Sequence, residues 1–501
     1  MLFNSIDFLI YFPVVTGLYF LLPHRYRWFF LLVASCVFYM AFIPSYILIL
    51  FLAIFIDYWA AIFIERSEGR QKKTYLFVSI LSTVLLLFFF KYFNFFHSNF
   101  ILFAEKTGAG YSWSDNLLTP IKPFLERTGV CRSDGSGFIS LLLPIGLSFH
   151  TFQSLAYVIE VYYGRYKAEH HFGIYSLYVM FWPQLVAGPI ERPFNLLRQL
   201  HMKMGFDYSR VISGLKLMFW GMFKKVVIAD RLAMFVGSVF NNPDDSYGWR
   251  VIFAAVLLHI QVYNDLSGYT DIARGAARVM GFNLMKNFRN PLFSSSIFEF
   301  WKRWHLSLTT WFRDYLYIPL GGSRVSKWRW YYNIFIVFVI SGFWHGANWT
   351  FIIWGVLHGA YQLIEVWTDK PRRKFFELTK LTKVPWLLKT LGILFTTLLI
   401  SAATLFFGAR SLSDSLILIK HAACLGNFSD LLREFSNNDF VFGLILVVFL
   451  YAVEYLNEKY DLVSVVGKKH IVLRWALYIA AIFFVISFGV FEELEFIYFQ
   501  F

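Results

Sequence analysis

Two histidines stand out in a chain that is otherwise lipid-like: His305 in Trp-Lys-Arg-Trp-His-Leu-Ser-Leu and His345 in Gly-Phe-Trp-His-Gly-Ala-Asn-Trp. An imidazole at or near bilayer depth is costly to bury, so it marks a reaction or transport path. In its neutral form it can serve as a general base, taking a proton from an attacking hydroxyl. Both histidines are flanked by tryptophans and joined by a basic amphipathic stretch. That arrangement points to chemistry at a membrane surface ahead of pore lining.

The elements that must position them are apolar. Of 501 residues, 58% are hydrophobic and only 16% charged, where a soluble domain carries about a quarter charged residues. Apolar runs long enough to span hydrocarbon, about 20 residues each, fall at 5–22, 28–43, 46–64, 75–97, 138–160, 172–188, 211–239, 249–265, 333–364, 387–408, 439–457 and 471–492. Several are too long, or too interrupted by Gly and Pro, to be single straight helices. The predicted fold class is an all-α polytopic membrane protein with roughly 11–12 transmembrane helices plus re-entrant or interfacial helices.

The chain reads as one integral membrane domain over 1–501 in three zones. Residues 1–97 are plain scaffold spans, 138–365 hold nearly all the intramembrane polar and Gly/Pro features, and 366–501 return to plain spans. The first run lacks a basic n-region and a small-residue cleavage site, and reads as a retained helix. Arg25, Arg27, Arg66, Arg70, Lys72 and Lys73 follow the first and third spans. By the positive-inside rule this puts the N-terminus outside and the loop 98–137 on the outer face. The net charge of +14 fits cytoplasmic loops against anionic lipid rather than a nucleic-acid partner. It also suits an anionic donor such as a coenzyme A thioester. Cys36, Cys131 and Cys424 form no paired or metal-ligand spacing. No zinc box, phosphate loop or nucleophile elbow occurs, so no metal is expected.

Drawn as one helix over 301–314, Trp301, Trp304, Leu308, Trp311 and Phe312 share a face, with His305 at its boundary near Lys302, Thr309 and Arg313. Asp314 lies on the opposite side. Such a helix belongs at the interface, and an anchor helix with an incidental histidine remains the plain alternative. His345 lies among Ser341, Gly342, Gly346 and Asn348, small residues that admit a helix or ligand; a simple interhelical hydrogen bond is the alternative there. His358 falls on another face of a continuous helix and reads as packing. Asp265 and Asp271 end a span, and Gly/Pro breaks at 144–153 and 183–191 add polar groups. Together these read as cavity-lining, and singly as packing.

The segments Tyr-Asn-Asp-Leu-Ser-Gly-Tyr-Thr-Asp271, Phe-Trp-Lys-Arg-Trp-His305-Leu-Ser-Leu through Tyr-Ile-Pro-Leu-Gly-Gly322, and Trp-His345-Gly-Ala-Asn-Trp strongly resemble the membrane-bound O-acyltransferase (MBOAT) family. The branch serving bacterial alginate O-acetylation looks nearest, with the lipoteichoic-acid D-alanylation and peptidoglycan O-acetylation branches as cousins. The resemblance covers most of the chain, and departures at Asn264, Leu266 and His150 bear on substrate subgroup. It implies catalytic roles for His345 and His305, and a cytoplasmic funnel with a channel leading outward. It further implies a bacterial inner-membrane location and an extracytoplasmic esterase-like acetyltransferase partner that completes delivery to sugar.

The expected function is O-acetylation of an exported, alginate-like polysaccharide, with no permanently bound cofactor and acetyl-CoA or another acyl thioester as donor. His345 is expected to deprotonate the acceptor, His305 to hold the carbonyl, and Lys302 and Arg313 to steer the donor. Asp314, Asn348, Asp265 and Asp271 complete the candidate donor and acceptor sites. Peptidoglycan or teichoic-acid acyl transfer is the nearest rival. A multipass transporter of acyl donor or polymer is the rival of another class.

Overall fold

Long apolar runs leave the backbone no partner but itself, and helices satisfy every peptide group internally. The computed structural model describes residues 1–108, 122, 126, 131–133, 139–141, 144–424, 432, 434–460, 462–491 and 496–497. Most of the predicted outer loop 98–137 and of the apolar tail 496–501 lies outside the described residues. An antiparallel pair of three-residue strands, Cys131–Ser133 with Ile139–Leu141, is described between them. Everything else among the described residues is helix and connection, an all-α polytopic architecture.

The chain forms two compact units, Met1–Met218 with Ala273–Met285 and Phe219–Ile272 with Lys286–Phe501. This division runs through the predicted core zone 138–365. The first unit contains α1 (Ile6–Leu21), α2 (His24–Met40), α3 (Tyr46–Arg66), α4 (Gly69–Thr107), α5 (Leu147–Tyr162) and α6 (Phe172–Met180). Ser5 caps α1, its hydroxyl accepting from the Phe8 amide at 3.3 Å. Trp182 is fully buried among Phe3, Phe8, Tyr11 and Phe38. The Gly/Pro breaks at 144–153 and 183–191 are packing features. Gln184 donates to Gln153 at 3.1 Å and to the Tyr178 carbonyl at 3.0 Å, closing one break on the other.

Two helices, α7 (Tyr208–Met222) and α9 (Trp249–Met280), contribute residues to both units. The second unit adds α8 (Asp230–Phe240), α10 (Ile297–Trp301), α11 (Leu306–Phe312), α12 (Lys327–His345), α13 (Trp349–Leu378), α14 (Pro385–Gly408), α15 (Leu412–Ala423), α16 (Asn438–Tyr460) and α17 (Ile471–Phe488). Among the described residues, six helices are long and apolar enough to cross a membrane: α3, α4, α9, α14, α16 and α17. All but α9, which is largely buried, turn large apolar side chains outward, as at Phe55, Phe395, Val448 and Phe483. Contiguous apolar surface of this kind requires lipid.

Two segments expected to be continuous helices are broken, and each break has a local cause. The run 333–364 divides at Gly346, whose backbone is extended, and restarts at Asn348. Asn348 caps α13, accepting from the Thr350 amide at 3.1 Å and donating to the Arg410 carbonyl at 3.0 Å. An Asn at this position satisfies amides that a new helix leaves open. The run 301–314 divides after Trp301 because Asn287 takes the first donors of α11. Its carbonyl accepts from the Leu306 amide at 2.8 Å, and its side chain from the amide and hydroxyl of Ser307 at 3.1 and 3.0 Å.

The first break folds α12 and α13 into an antiparallel hairpin with almost no gap. A Cβ placed on Gly355 would lie 3.1 Å from the Gly342 Cα and closer still to the Phe338 carbonyl oxygen. Only glycine allows this approach, as small residues do between membrane helices. Gly355→Leu is expected to destabilise the protein by on the order of 3 kcal/mol, read as a lower Tm in detergent. An unchanged Tm would mean the hairpin is not held at this point.

Candidate functional site

The second unit holds a small cavity, about 30 Å³, lined by three histidines from three helices. His345 is the last residue of α12, His358 lies in the third turn of α13, and His259 comes from α9. Val262, Ile400 and Thr404 complete the lining together with an aromatic wall of Phe300, Trp301, Trp304, Trp354 and Phe407. Trp354 stands between two of the imidazoles, its ring centroid 5.0 Å from His345 and 4.6 Å from His358. Trp301 meets His358 edge-on at 5.0 Å, and Trp304 stacks on His259 at 5.6 Å.

The break at Gly346–Asn348 produces this convergence. One continuous helix would put His345 and His358 on different faces, but the hairpin returns His358 alongside His345. The expectation that the two lie on separate faces is therefore corrected. His358 is fully buried, and neither ring nitrogen has a hydrogen-bond partner among the described residues. A buried polar atom left so costs about 1–3 kcal/mol, and here it borders a cavity. His259 was missed altogether, although a histidine inside the apolar run 249–265 carries the same signal that singled out His345.

His305 does not line the cavity; its neighbour Trp304 does. The broken helix makes His305 the residue preceding α11, with φ 44° and ψ 54°, and leaves it 1% exposed. A non-glycine side chain in this left-handed region is uncommon and is held by its surroundings. Its ring packs 6.1 Å from that of Phe288.

The other predicted site residues also lie outside the cavity lining. Lys302 lies over the Phe298 ring at 4.2 Å, and Arg313 pairs with the adjacent Asp314 at 2.8 Å. Asn348 caps α13. Asp271 bonds Lys224 at 2.6 Å, and Asp265 bonds Lys225 at 2.8 Å while accepting from the Ile497 amide at 2.8 Å. Asp230 joins the second pair at 2.7 Å. These carboxylates hold the lysines of the π-helical turn Phe223–Ala229 against α9. Among the described residues no cluster of His, Cys, Asp and Glu could hold a metal ion.

Burial pushes the His305 imidazole down from 6.5 to about 3, so it is neutral in the folded protein at ordinary pH. The unfolded chain takes up this proton near pH 6.5 and the folded one does not. The stability it contributes is complete above that value and falls as pH drops below it, by about 1.4 kcal/mol per unit. His305→Asn, which tolerates the left-handed backbone, should therefore lose less Tm than wild type between about pH 7 and pH 5. Parallel Tm curves would contradict the burial of this imidazole in neutral form.

Residues 168–409 match the membrane-bound O-acyltransferase family. The chain is 37% identical over 372 residues to a probable alginate O-acetylase, AlgI, of Pseudomonas aeruginosa, covering 73% of this chain and 66% of that protein, just under two thirds. It is 36% identical over 430 residues to the probable alginate O-acetylase AlgI of Azotobacter vinelandii, covering 83% and 80%. The peptidoglycan O-acetyltransferase of Helicobacter pylori is 32% identical over 427 residues, covering 80% and 74%. Similarity of this extent, over the region that builds the histidine cavity, makes the chain a member of the membrane-bound O-acyltransferase family.

Proposed function

We propose that the chain transfers an acetyl group from a cytoplasmic thioester to a hydroxyl of an exported polysaccharide. The observation that carries this reading is the cavity where His345, His358 and His259 meet an aromatic wall. His345 takes the proton of the acceptor hydroxyl as its oxygen attacks the thioester carbonyl. A C–O bond forms, the C–S bond breaks, and the proton passes to the departing thiolate. The step balances with donor and acceptor alone.

The cavity supports a short acyl group. A volume of about 30 Å³ admits two or so water-sized groups, since one water needs roughly 10–15 Å³. That matches the size of an acetyl group. His358 donates a ring N–H to the carbonyl oxygen as negative charge builds there, the task of a fixed donor in a water-poor site. This moves to His358 the carbonyl-holding role expected of His305, which becomes a positioning residue through Trp304.

Acetyl-CoA or another acyl thioester is the donor, and the protein works in the bacterial inner membrane with its N-terminus outside. An extracytoplasmic esterase-like acetyltransferase is the proposed partner. The alginate O-acetylases among the relatives favour an alginate-like acceptor. The peptidoglycan O-acetyltransferase favours peptidoglycan as the second choice.

In cells making the polymer, His345→Ala and His345→Gln should each lower O-acetylation by about 100-fold or more, with membrane accumulation unchanged. His358→Gln keeps an N–H donor and should retain activity that His358→Leu loses, by a factor on the order of 100. Normal acetylation in His345→Gln would contradict the base and favour a transport role.

A further inference from the structure

The first unit holds a larger cavity, about 230 Å³, of different chemistry. Its lining includes His24, Arg25, Arg27, His171 and His201, and no carboxylate. The same lining is also apolar in part, with Leu31, Ile174, Leu177 and Leu200. Such a space is amphiphilic, combining cationic and hydrocarbon-like side chains.

Arg27 is built into the wall. Its guanidinium donates to the carbonyls of Leu22 at 2.9 Å, Met204 at 2.5 Å and Phe20 at 3.2 Å, and lies over the Tyr19 ring at 4.8 Å. Carbonyls satisfy its N–H groups and leave its charge in place. Among the described residues, no carboxylate pairs with Arg25 or Arg27. The nearby Glu169 is engaged with the His201 ring at 2.6 Å and the His171 amide at 2.9 Å.

Backbone adds to the field. The 17-residue α2 begins at His24, and α6 begins at Phe172 with His171 as its cap. Both helix N-termini therefore border the cavity, where the macrodipole favours an anion. His171 accepts from the Ile174 amide through Nδ1 at 3.1 Å, so in the neutral ring Nε2 carries the proton and is a donor. The cavity also lies where apolar α1 ends, with Tyr19 and Trp28 in its wall, the aromatic signature of a membrane–water interface.

We infer that this cavity binds the phosphate of an anionic phospholipid, with the start of the acyl region against its apolar side chains. A phosphoryl group answers the uncompensated guanidinium charge, and a diester attached to hydrocarbon answers the mixed cationic and apolar lining. The site is independent of the acyl-transfer chemistry.

The test uses full-length protein and native mass spectrometry in detergent, titrating phosphatidylglycerol against phosphatidylcholine, with inorganic phosphate as a soluble competitor. The expected result is preferential retention of phosphatidylglycerol, weakened roughly fivefold by Arg25→Gln and little affected by millimolar phosphate. Arg25 is exposed and makes no structural hydrogen bond in the described residues, so this variant should fold. A control, Lys374→Gln, alters an exposed cation on α13 and should leave retention unchanged. Equal retention of the two lipids, an unaltered preference in Arg25→Gln, or full displacement by inorganic phosphate would each overturn the inference.

Discussion

The backbone contact between Gly342 and Gly355 is the constraint on which the histidine cavity depends. Two helices can approach this closely only where both lack a Cβ, and the approach is what returns α13 along α12. Trp354, one residue before Gly355, is thereby pressed between His345 and His358. The cap formed by Asn348 sets where the return begins, and its bond to the Arg410 carbonyl ties the turn to the end of α14. The three imidazoles are buried because the hairpin, α9, α10 and α14 pack around them together.

A second constraint is electrostatic. Lys224 and Lys225 are almost fully buried, and each is answered by carboxylates from α8 or α9. Tyr263, one turn beyond His259 on α9, donates to Glu454 of α16. Removing one member of a buried pair leaves an uncompensated charge at a cost of several kcal/mol, so these contacts fix the placement of α9 and hence of His259. The acidic residues Asp265 and Asp271 support the site from behind, through the helix that carries it.

Much of this was legible in the sequence, for physical reasons that differ from residue to residue. Long apolar runs have one way to satisfy their backbone, so the all-α polytopic fold followed from composition. His345 was visible because an imidazole among small residues in an apolar run is costly. The family was visible in the spacing around Asp271, His305 and His345. What stayed hidden is long-range. A helical wheel assumes a continuous helix, and it assigned His358 to the wrong face because capping by Asn348 interrupts the run. The same assumption drew 301–314 as one amphipathic element, where Asn287, a residue outside that window, ends it. The lysine partners of Asp265 and Asp271 were hidden because they lie 40 and 47 residues away in the chain.

The most direct test of the central claim is acyl transfer by purified protein in nanodiscs, following loss of the thioester from radiolabelled acetyl-CoA with an acceptor polysaccharide and the partner protein supplied. The account predicts thioester loss that tracks ester formation in wild type and disappears in His345→Ala of unchanged Tm. Equal turnover by His345→Ala would contradict it.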